Sequence, residues 1–451
     1  MRYVPRILGK TVLDAAKRFP ALLLTGPRQS GKTTLLRRLF PRAGYVLLED
    51  PDVISRVRLD PRTFLQDLPT PVILDEIQNA PELMAYIRTQ IDQAPRQRGR
   101  WLLTGSQEAP LMRGVAESMA GRVAILQLLP LSLQETSRVS LLRGGFPPVL
   151  DQPAGAELWF RSYLQTYLER DVRAVTAVRD LATFRRFLAL LAARCGSILN
   201  KTELAAPLGV SVPTITQWLG VLEVTGSILL VPPYFENFGK RLVKSPKLYF
   251  VDSGLACHLL GIRTLSQLRQ STFHGPLFEG FLAAEIAKRQ INAGQRAQLY
   301  FFRDQQGLEV DFIVPLGGKA LALIEAKATR TPRPAMATSL ERLAQATTGY
   351  STLRWLVIEG EPAGGRALAP GTSVVSVAEC WRRWGSYRSR IAVTPIPPAV
   401  QIEISPRPDP RCSSNFASDA TIRAPVAANG CPIAMLPPFT FIFARSTFPS
   451  A

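Results

Sequence analysis

Histidine is almost absent and cysteine is sparse. Only His258 and His274 supply imidazole, and the five cysteines, Cys195, Cys257, Cys380, Cys412 and Cys431, are scattered with no Cys-x-x-Cys pair. That pattern argues against a zinc site and fits reduced thiols in core or surface positions. Long apolar runs are missing too: none approaches the roughly 18 to 20 residues needed to cross a bilayer. The opening stretch MRYVPRILGKTVLDAAKRFPALLL is broken by charges throughout, which argues against a signal peptide. The expectation is a cytoplasmic chain with no membrane partner. Acidic residues are in deficit, 35 Asp+Glu against 54 Lys+Arg, for a formal net charge of +19. Such an excess either suits an acidic partner, DNA or nucleotide phosphate, or forms a solvated arginine-rich surface.

Apolar content is ample. At 451 residues, 46% hydrophobic and 8% aromatic, the chain can fill two or three cores. From residue 1 to 135 the short runs ALLLTG, YVLLED, PVILDE and WLLTGS alternate with amphipathic segments, as buried strands of a parallel α/β sheet do. Residues 136–185 read as a helical lid or linker, with Trp159, Tyr163, Tyr167 and Val172 near one face. In 186–250, Thr202 can cap a short helix, Gly209 supplies a turn, and Ser211 caps a second helix with Pro213 in its first turn before ILLVPPY turns to strand. That is the outline of a winged helix-turn-helix. Its second helix, within 211–225, carries no Lys or Arg, so phosphate contacts would fall to Lys240, Arg241, Lys244 and Lys247 in the wing; the module serves either DNA or a protein partner. Residues 251–385 hold an amphipathic helix and a hairpin, and 386–451 read as a proline-rich disordered tail.

The segment GPRQSGKT, residues 26–33, fits G-x-x-x-x-G-K-[ST] between a strand and a helix. Gly26 and Gly31 permit the loop conformation in which backbone N–H groups from Gln29 to Thr33 point inward around the β-phosphate, within a nucleotide-binding set of Gly26, Pro27, Arg28, Gln29, Ser30, Gly31, Lys32, Thr33, Thr34 and Asp75. Lys32 would reach the β- and γ-phosphates, and the Thr33 hydroxyl would ligate Mg²⁺. The strand PVILDE ends in two acids, which parallel-sheet packing does not call for and Mg-ATP chemistry does. Asp75 would orient a water of the magnesium shell and Glu76 would polarise the attacking water. After WLLTGS, Thr104 and Ser106 either contact the γ-phosphate or lytic water or simply form a turn and cap. Arg122 is either a surface residue or a γ-phosphate sensor, in cis or from a neighbouring subunit of a homo-oligomer.

In LEVDFIVPLGGKALALIEAKA, residues 308–328, two strands flank a turn near 315–319 and place Asp311 roughly opposite Ile324 and Glu325. Glu325 and Lys327 share a face with Leu321 and Leu323, with Ala322, Ile324 and Ala326 on the other, so the strand is expected to be central. Charges at the end of such a strand carry a desolvation cost that a metal ion would offset.

GPRQSGKTTLL, VILDEIQNAPEL, WLLTGSQ and MAGRVAILQLLPLSLQE, followed by KLYFVDSGLA and FEGFLAAEI…EVDFIV…IEAKA, resemble the bacterial and archaeal predicted AAA+ superfamily ATPases with an uncharacterised C-terminal region, from residue 2 to about 385. The resemblance implies a P-loop NTPase of AAA+ type, a winged helix-turn-helix and a restriction-endonuclease-like α/β domain. Aspartate followed by Glu-x-Lys is similar to the PD-(D/E)xK nucleases, with Val-Asp in place of Pro-Asp. By that likeness Asp311, Glu325 and Glu279 would hold Mg²⁺ and Lys327 would position water or stabilise the pentavalent phosphate. Two functions stay open: an ATPase coupled to DNA binding and cleavage, and a nucleotide-gated switch with an inactive nuclease-like domain.

Overall fold

The structure, a computed structural model, describes residues 3–105, 119–168, 181–234, 244–361 and 367–388. Ser106, Val172, Lys240, Arg241 and the tail beyond 388 lie outside these. The first apolar runs become β1 (Ala21–Thr25), β2 (Gly44–Leu47), β3 (Val72–Asp75), β4 (Trp101–Thr104) and β5 (Val123–Gln127). They form one all-parallel sheet in the order β2-β3-β4-β1-β5. Helices α1 (Gly9–Arg18), α2 (Lys32–Leu39), α3 (Pro51–Leu59), α4 (Pro61–Gln66) and α5 (Leu83–Gln93) cover it. Strand periodicity sorts the faces: Leu22, Leu24, Ile73 and Leu102 pack with Leu8, Val12 and Leu35, while Leu23, Leu74 and Leu103 pack with Leu83, Met84 and Ile87. YVLLED departs from the expectation of a buried strand. It forms the sheet edge, where Tyr45 and Leu47 are exposed. Because every strand is parallel, Thr25, Asp75 and Thr104 end at one edge of the sheet.

Beyond β5 come α6 (Pro147–Asp151), α7 (Ala156–Tyr163), α8 (Leu181–Ala193), α9 (Lys201–Ala205) and α10 (Val212–Val224). An antiparallel pair follows, β6 (Ile228–Val231) with β7 (Lys247–Phe250). Ser211 caps α10 by accepting from the Thr214 N–H at 3.2 Å, and Gly209 makes the turn at φ 65°. The α9 cap is Asn200 rather than Thr202, whose own N–H donates to Asn200 Oδ1 at 3.1 Å. Trp159 and Tyr163 stack at 5.0 Å on one side of α7.

Helices α11 (Ser253–Leu259), α12 (Leu265–Gln270) and α13 (His274–Asn292) lead to a six-stranded sheet. Its strands are β8 (Tyr300–Arg303), β9 (Glu309–Gly317), β10 (Ala320–Lys327), β11 (Ser351–Ile358), β12 (Ala367–Ala369) and β13 (Thr372–Ser376), ordered β12-β13-β11-β10-β9-β8. Between β10 and β11 comes α14 (Thr338–Ala346), and α15 (Val377–Arg388) follows β13. Strand β10 is interior, paired with β9 and β11, and the β9–β10 turn falls at Gly317 and Gly318. Leu321 and Leu323 face Leu340 and Leu343; Ala322, Ile324 and Ala326 face a core shared with α13. That core runs from Leu131 to Trp384, so apolar packing continues across residues 185 and 250, expected as segment ends.

Candidate functional site

Two clusters of charge lie in these cores. The first is at the edge where β1, β3 and β4 end. Gly26 has φ 134°, and a Cβ there would lie 2.2 Å from the Leu128 carbonyl oxygen, so only glycine fits between β1 and the end of β5. Gly31, at φ 97°, sits at the N-cap of α2 and turns the loop into the helix. Between them Gln29 also takes a left-handed conformation, φ 60°. The Lys32 ammonium is buried and donates to the Gly26 and Pro27 carbonyls, each at 3.1 Å.

Thr33 opens onto Asp75. Its hydroxyl lies 2.8 and 3.0 Å from the two carboxylate oxygens, and Tyr45 Oη donates to Asp75 Oδ2 at 2.9 Å. Burial and that bond push the Tyr45 phenol up to about 12. Thr104, fully buried, donates to Asp75 Oδ1 and accepts from the Glu76 N–H at 3.1 Å. One hydroxyl thereby fixes both acids of the pair. Glu76 itself is left-handed, φ 59°, and its carboxylate accepts from Gln78 and lies 3.6 Å from the Arg28 guanidinium. Arg28, buried within the loop, also reaches Glu49 at 3.4 Å.

The loop is gripped from outside as well. Arg6 donates to the Ser30 carbonyl at 2.8 Å, to the Leu129 carbonyl at 2.6 Å and to Glu135 at 2.9 Å. Trp159 Nε1 donates to Gln29 at 3.0 Å, and the Gly226 turn approaches Pro27 so closely that a Cβ would come within 3.2 Å. Thr34 is exposed on the first turn of α2. Arg122 is not brought here. It precedes β5, and in a parallel sheet strand starts lie at the edge opposite strand ends; its guanidinium is tied to Asp92 of α5 at 2.6 and 3.2 Å.

The second cluster surrounds Lys247, the first residue of β7. Its ammonium is buried and lies 2.9 Å from Glu279 of α13, and 2.6 and 3.6 Å from Glu309 and Asp311 of β9. Tyr249 Oη donates to the same Glu279 oxygen. Ile324 pairs with Phe312, which sets Asp311 beside Glu325, and the Ala326 N–H donates to Asp311 Oδ2 at 3.0 Å. Lys327, partly exposed, donates to Glu325 Oε1 at 2.6 Å. Burial first, then the Asp311 charge, push Glu279 up to about 7 and Glu325 up to about 8. Burial pulls against the Lys247 ammonium, yet Glu279, Asp311 and Glu309 together hold it above its ordinary value.

The arrangement corrects two expectations. Lys247 is no surface wing cation for phosphate, because β7 turns it into the acids. Glu279, Asp311 and Glu325 do come together, but an ammonium stands among them, and among the described residues no three His, Cys, Asp or Glu are disposed to hold a metal ion. As arranged, these acids do not fit bound Mg²⁺. Lys247 was thus noticed but given the wrong partner: a charge opens the apolar strand KLYFV, yet the acids it meets follow only from the fold. Nothing in the sequence tied Arg6 or Trp159 to the loop: Arg6 reaches Ser30 24 residues on and Leu129 and Glu135 more than a hundred on, and Trp159, read only as part of a helix face, reaches Gln29 130 residues back.

A third, structural pair joins the halves. Glu285 and Lys288 on α13 meet at 3.0 Å, both fully buried; Glu285 accepts from the Leu133 N–H at 2.8 Å and Lys288 donates to the Leu131 carbonyl at 3.2 Å. Among the described residues no helix is long and apolar enough to cross a membrane.

Comparison with known proteins places this geometry. Residues 18–137 match a family described as an AAA domain, 134–266 a domain of unknown function (DUF8612), and 274–363 another (DUF4143). Among solved structures, the Walker-type ATPase PABY2304 of Pyrococcus abyssi is 16% identical with a TM-score of 0.36, over 56% of this chain and 94% of its own. The RuvB branch-migration motor of Thermotoga maritima is 16% identical with a TM-score of 0.26, over 51% and 90%. Both superpose too loosely to inform the chemistry. Uncharacterized proteins Mb2031c of Mycobacterium bovis and Rv2008c of Mycobacterium tuberculosis are each 34% identical over 325 residues, 70% of this chain and 72% of theirs. The phosphate loop and acid pair thus lie in an AAA-type, ATP-binding ATPase domain, and the chain belongs to the family of these two mycobacterial proteins.

Proposed function

We propose that the chain hydrolyses ATP with Mg²⁺ and passes its nucleotide state to a DNA-contacting C-terminal half. The observation that carries the hydrolysis is the Thr33–Asp75–Thr104–Glu76 linkage, which puts a phosphate-loop hydroxyl, a metal-type carboxylate and a candidate base in one hydrogen-bonded set. Thr33 and Asp75 offer only hard oxygen donors, which fits Mg²⁺, and the ion would supply charge neutralisation along the phosphates. The amides of residues 28–34 and the α2 N-terminus would bind the phosphates. Lys32 would leave the Gly26 and Pro27 carbonyls for the β- and γ-oxygens. Glu76 would accept a hydrogen bond from the attacking water, aimed by its strained backbone and by Thr104.

Coupling is supported by what touches the loop. Gln29, Pro27 and Ser30 contact Trp159, Gly226 and Arg6, and Arg6 leads through Glu135 to the segment held by Glu285 and Lys288. Helices α8 to α10 with β6 and β7 support a winged helix-turn-helix reading, and the β9–β10 hairpin on α13 supports a restriction-endonuclease-like one. DNA rests on the net charge of +19 and exposed cations such as Lys244, because α10 itself carries none. A second reading, a nucleotide-gated switch whose C-terminal domain does not cleave, is favoured by the position of Lys247.

The test is ATP turnover and nucleotide retention in wild type and Glu76→Gln, with and without duplex DNA. The substitution should keep ATP bound while slowing release of phosphate by about 100-fold, and DNA should change the wild-type rate in a salt-sensitive way. Unaltered turnover in Glu76→Gln would remove the assigned base.

A further inference from the structure

The acids on β9 and α13 converge on one point, and a protein ammonium occupies it. Glu279, Glu309 and Asp311 lie 2.9, 2.6 and 3.6 Å from Lys247 Nζ. Oxygen ligands approach Mg²⁺ or Ca²⁺ at about 2.0–2.6 Å, so ion and ammonium cannot share the space. A second observation points to the same place. Glu325, 8% exposed, directs one oxygen to Lys327 while its buried Oε2 has no hydrogen-bond partner, and its carboxyl feels the charges of Asp311 and Glu279. A buried carboxylate oxygen without a donor is costly unless a cation can reach it.

The lysine comes from a different element than the acids. It opens β7, whose partner is β6, while its side chain is steadied by the Phe301 ring at 5.6 Å. The groups facing it are Glu279 and Tyr249 on one side and Glu309 and Asp311 on the other. Without Lys247, the buried Glu279 and Asp311 would repel each other, with Lys327 paired, among the described residues, only to Glu325 and Arg303 only to the partly exposed Glu309.

We propose that Lys247 is a tethered cation that holds this acid cluster closed to divalent metal, and that removing its charge opens a metal site formed by Glu279, Glu309 and Asp311, with Glu325 adjacent. The C-terminal domain is then locked by a residue of the neighbouring strand pair. The inference rests on reading the cluster as a metal-type acid group, and it is independent of turnover at the phosphate loop.

Mn²⁺ binding to the full, nucleotide-free chain tests it, by calorimetry and by the electron paramagnetic resonance of free Mn²⁺. Lys247→Met should bind one Mn²⁺ at least tenfold more tightly than wild type and melt at a higher temperature when Mn²⁺ is added. Lys247→Arg, which keeps the charge, should behave as wild type, and Lys247→Met/Asp311→Asn should lose the gain. A folded Lys247→Met with no gain overturns the proposal. Should Lys247→Met not fold, wild type against Asp311→Asn decides alone: an unchanged Mn²⁺ isotherm supports the lock, and a site lost on that substitution overturns it.

Discussion

Thr104→Val is the sharpest probe of the nucleotide site, because it removes one oxygen from a fully buried position and nearly preserves volume. The lost hydroxyl donates to Asp75 and accepts from the Glu76 N–H. A hydrogen bond to a charged group contributes roughly 1.5–3 kcal/mol, and a buried N–H left unpaired costs roughly 1–3 kcal/mol. Asp75 keeps Thr33 and Tyr45 as donors, so the stability loss should sit near the low end of the sum, about 3 kcal/mol. The larger effect is on rate. Glu76 is held at φ 59°, a conformation costing roughly 1–3 kcal/mol, and it persists because its N–H is anchored. Freed of that anchor, the residue can relax away from its position, and at about 1.4 kcal/mol per tenfold kcat should fall by about 10- to 100-fold. Binding should change little, since Thr104 makes no contact with the loop amides. Steady-state phosphate release across an ATP series with Mg²⁺, alongside a thermal melt, reads both effects, with Thr104→Ser as the control that retains the hydroxyl. Turnover within about twofold of wild type, with an unshifted melt, would refute the assigned role of this hydroxyl.

Two further outcomes concern a buried ion pair and a half-buried imidazole. Lys288→Met strands Glu285 in the core and should cost about 3–5 kcal/mol in urea unfolding; Glu285→Gln/Lys288→Met should recover part of it, and equal losses would show that the pair is not coupled. Burial, then the Arg263 charge, lower the His258 imidazole from 6.5 to about 4. The folded protein therefore takes up that proton later than the unfolded chain, so stability holds above pH 6.5 and declines as pH drops from there toward 4. His258→Gln should flatten the decline in melting temperature across this window, and an unaltered slope would show that other groups set it.

The phosphate loop and the acid pair were legible because each is a local anomaly with a single chemical use. Gly26 and Gly31 are where the chain must turn left-handed, and Asp75 and Glu76 end a strand that packing alone would finish with apolar residues. The β9–β10 hairpin was readable for the same reason, down to which side chains share a face. What sequence could not give is who fills the cluster that the hairpin builds. Lys247 stands 32 residues before Glu279 and 64 before Asp311, and only the pairing of β7 with β6 turns it inward. Arg122 stayed open between a surface residue and a γ-phosphate sensor for a related reason: which end of the strand it occupies is decided by sheet topology.

The 19-residue helix α13 carries both Glu279 and, two turns on, the Glu285–Lys288 pair. Six residues separate Glu279 from Glu285, about 9 Å along the axis, so a tilt pivoting at the buried pair would slide Glu279 past β7 and β9. A rigid rod clamped near its middle behaves as a beam on a fulcrum. Small displacements of the segment around residues 131–135, which is tied to the phosphate loop through Arg6, would then reappear at the far carboxylate as a change in how tightly it grasps its ammonium.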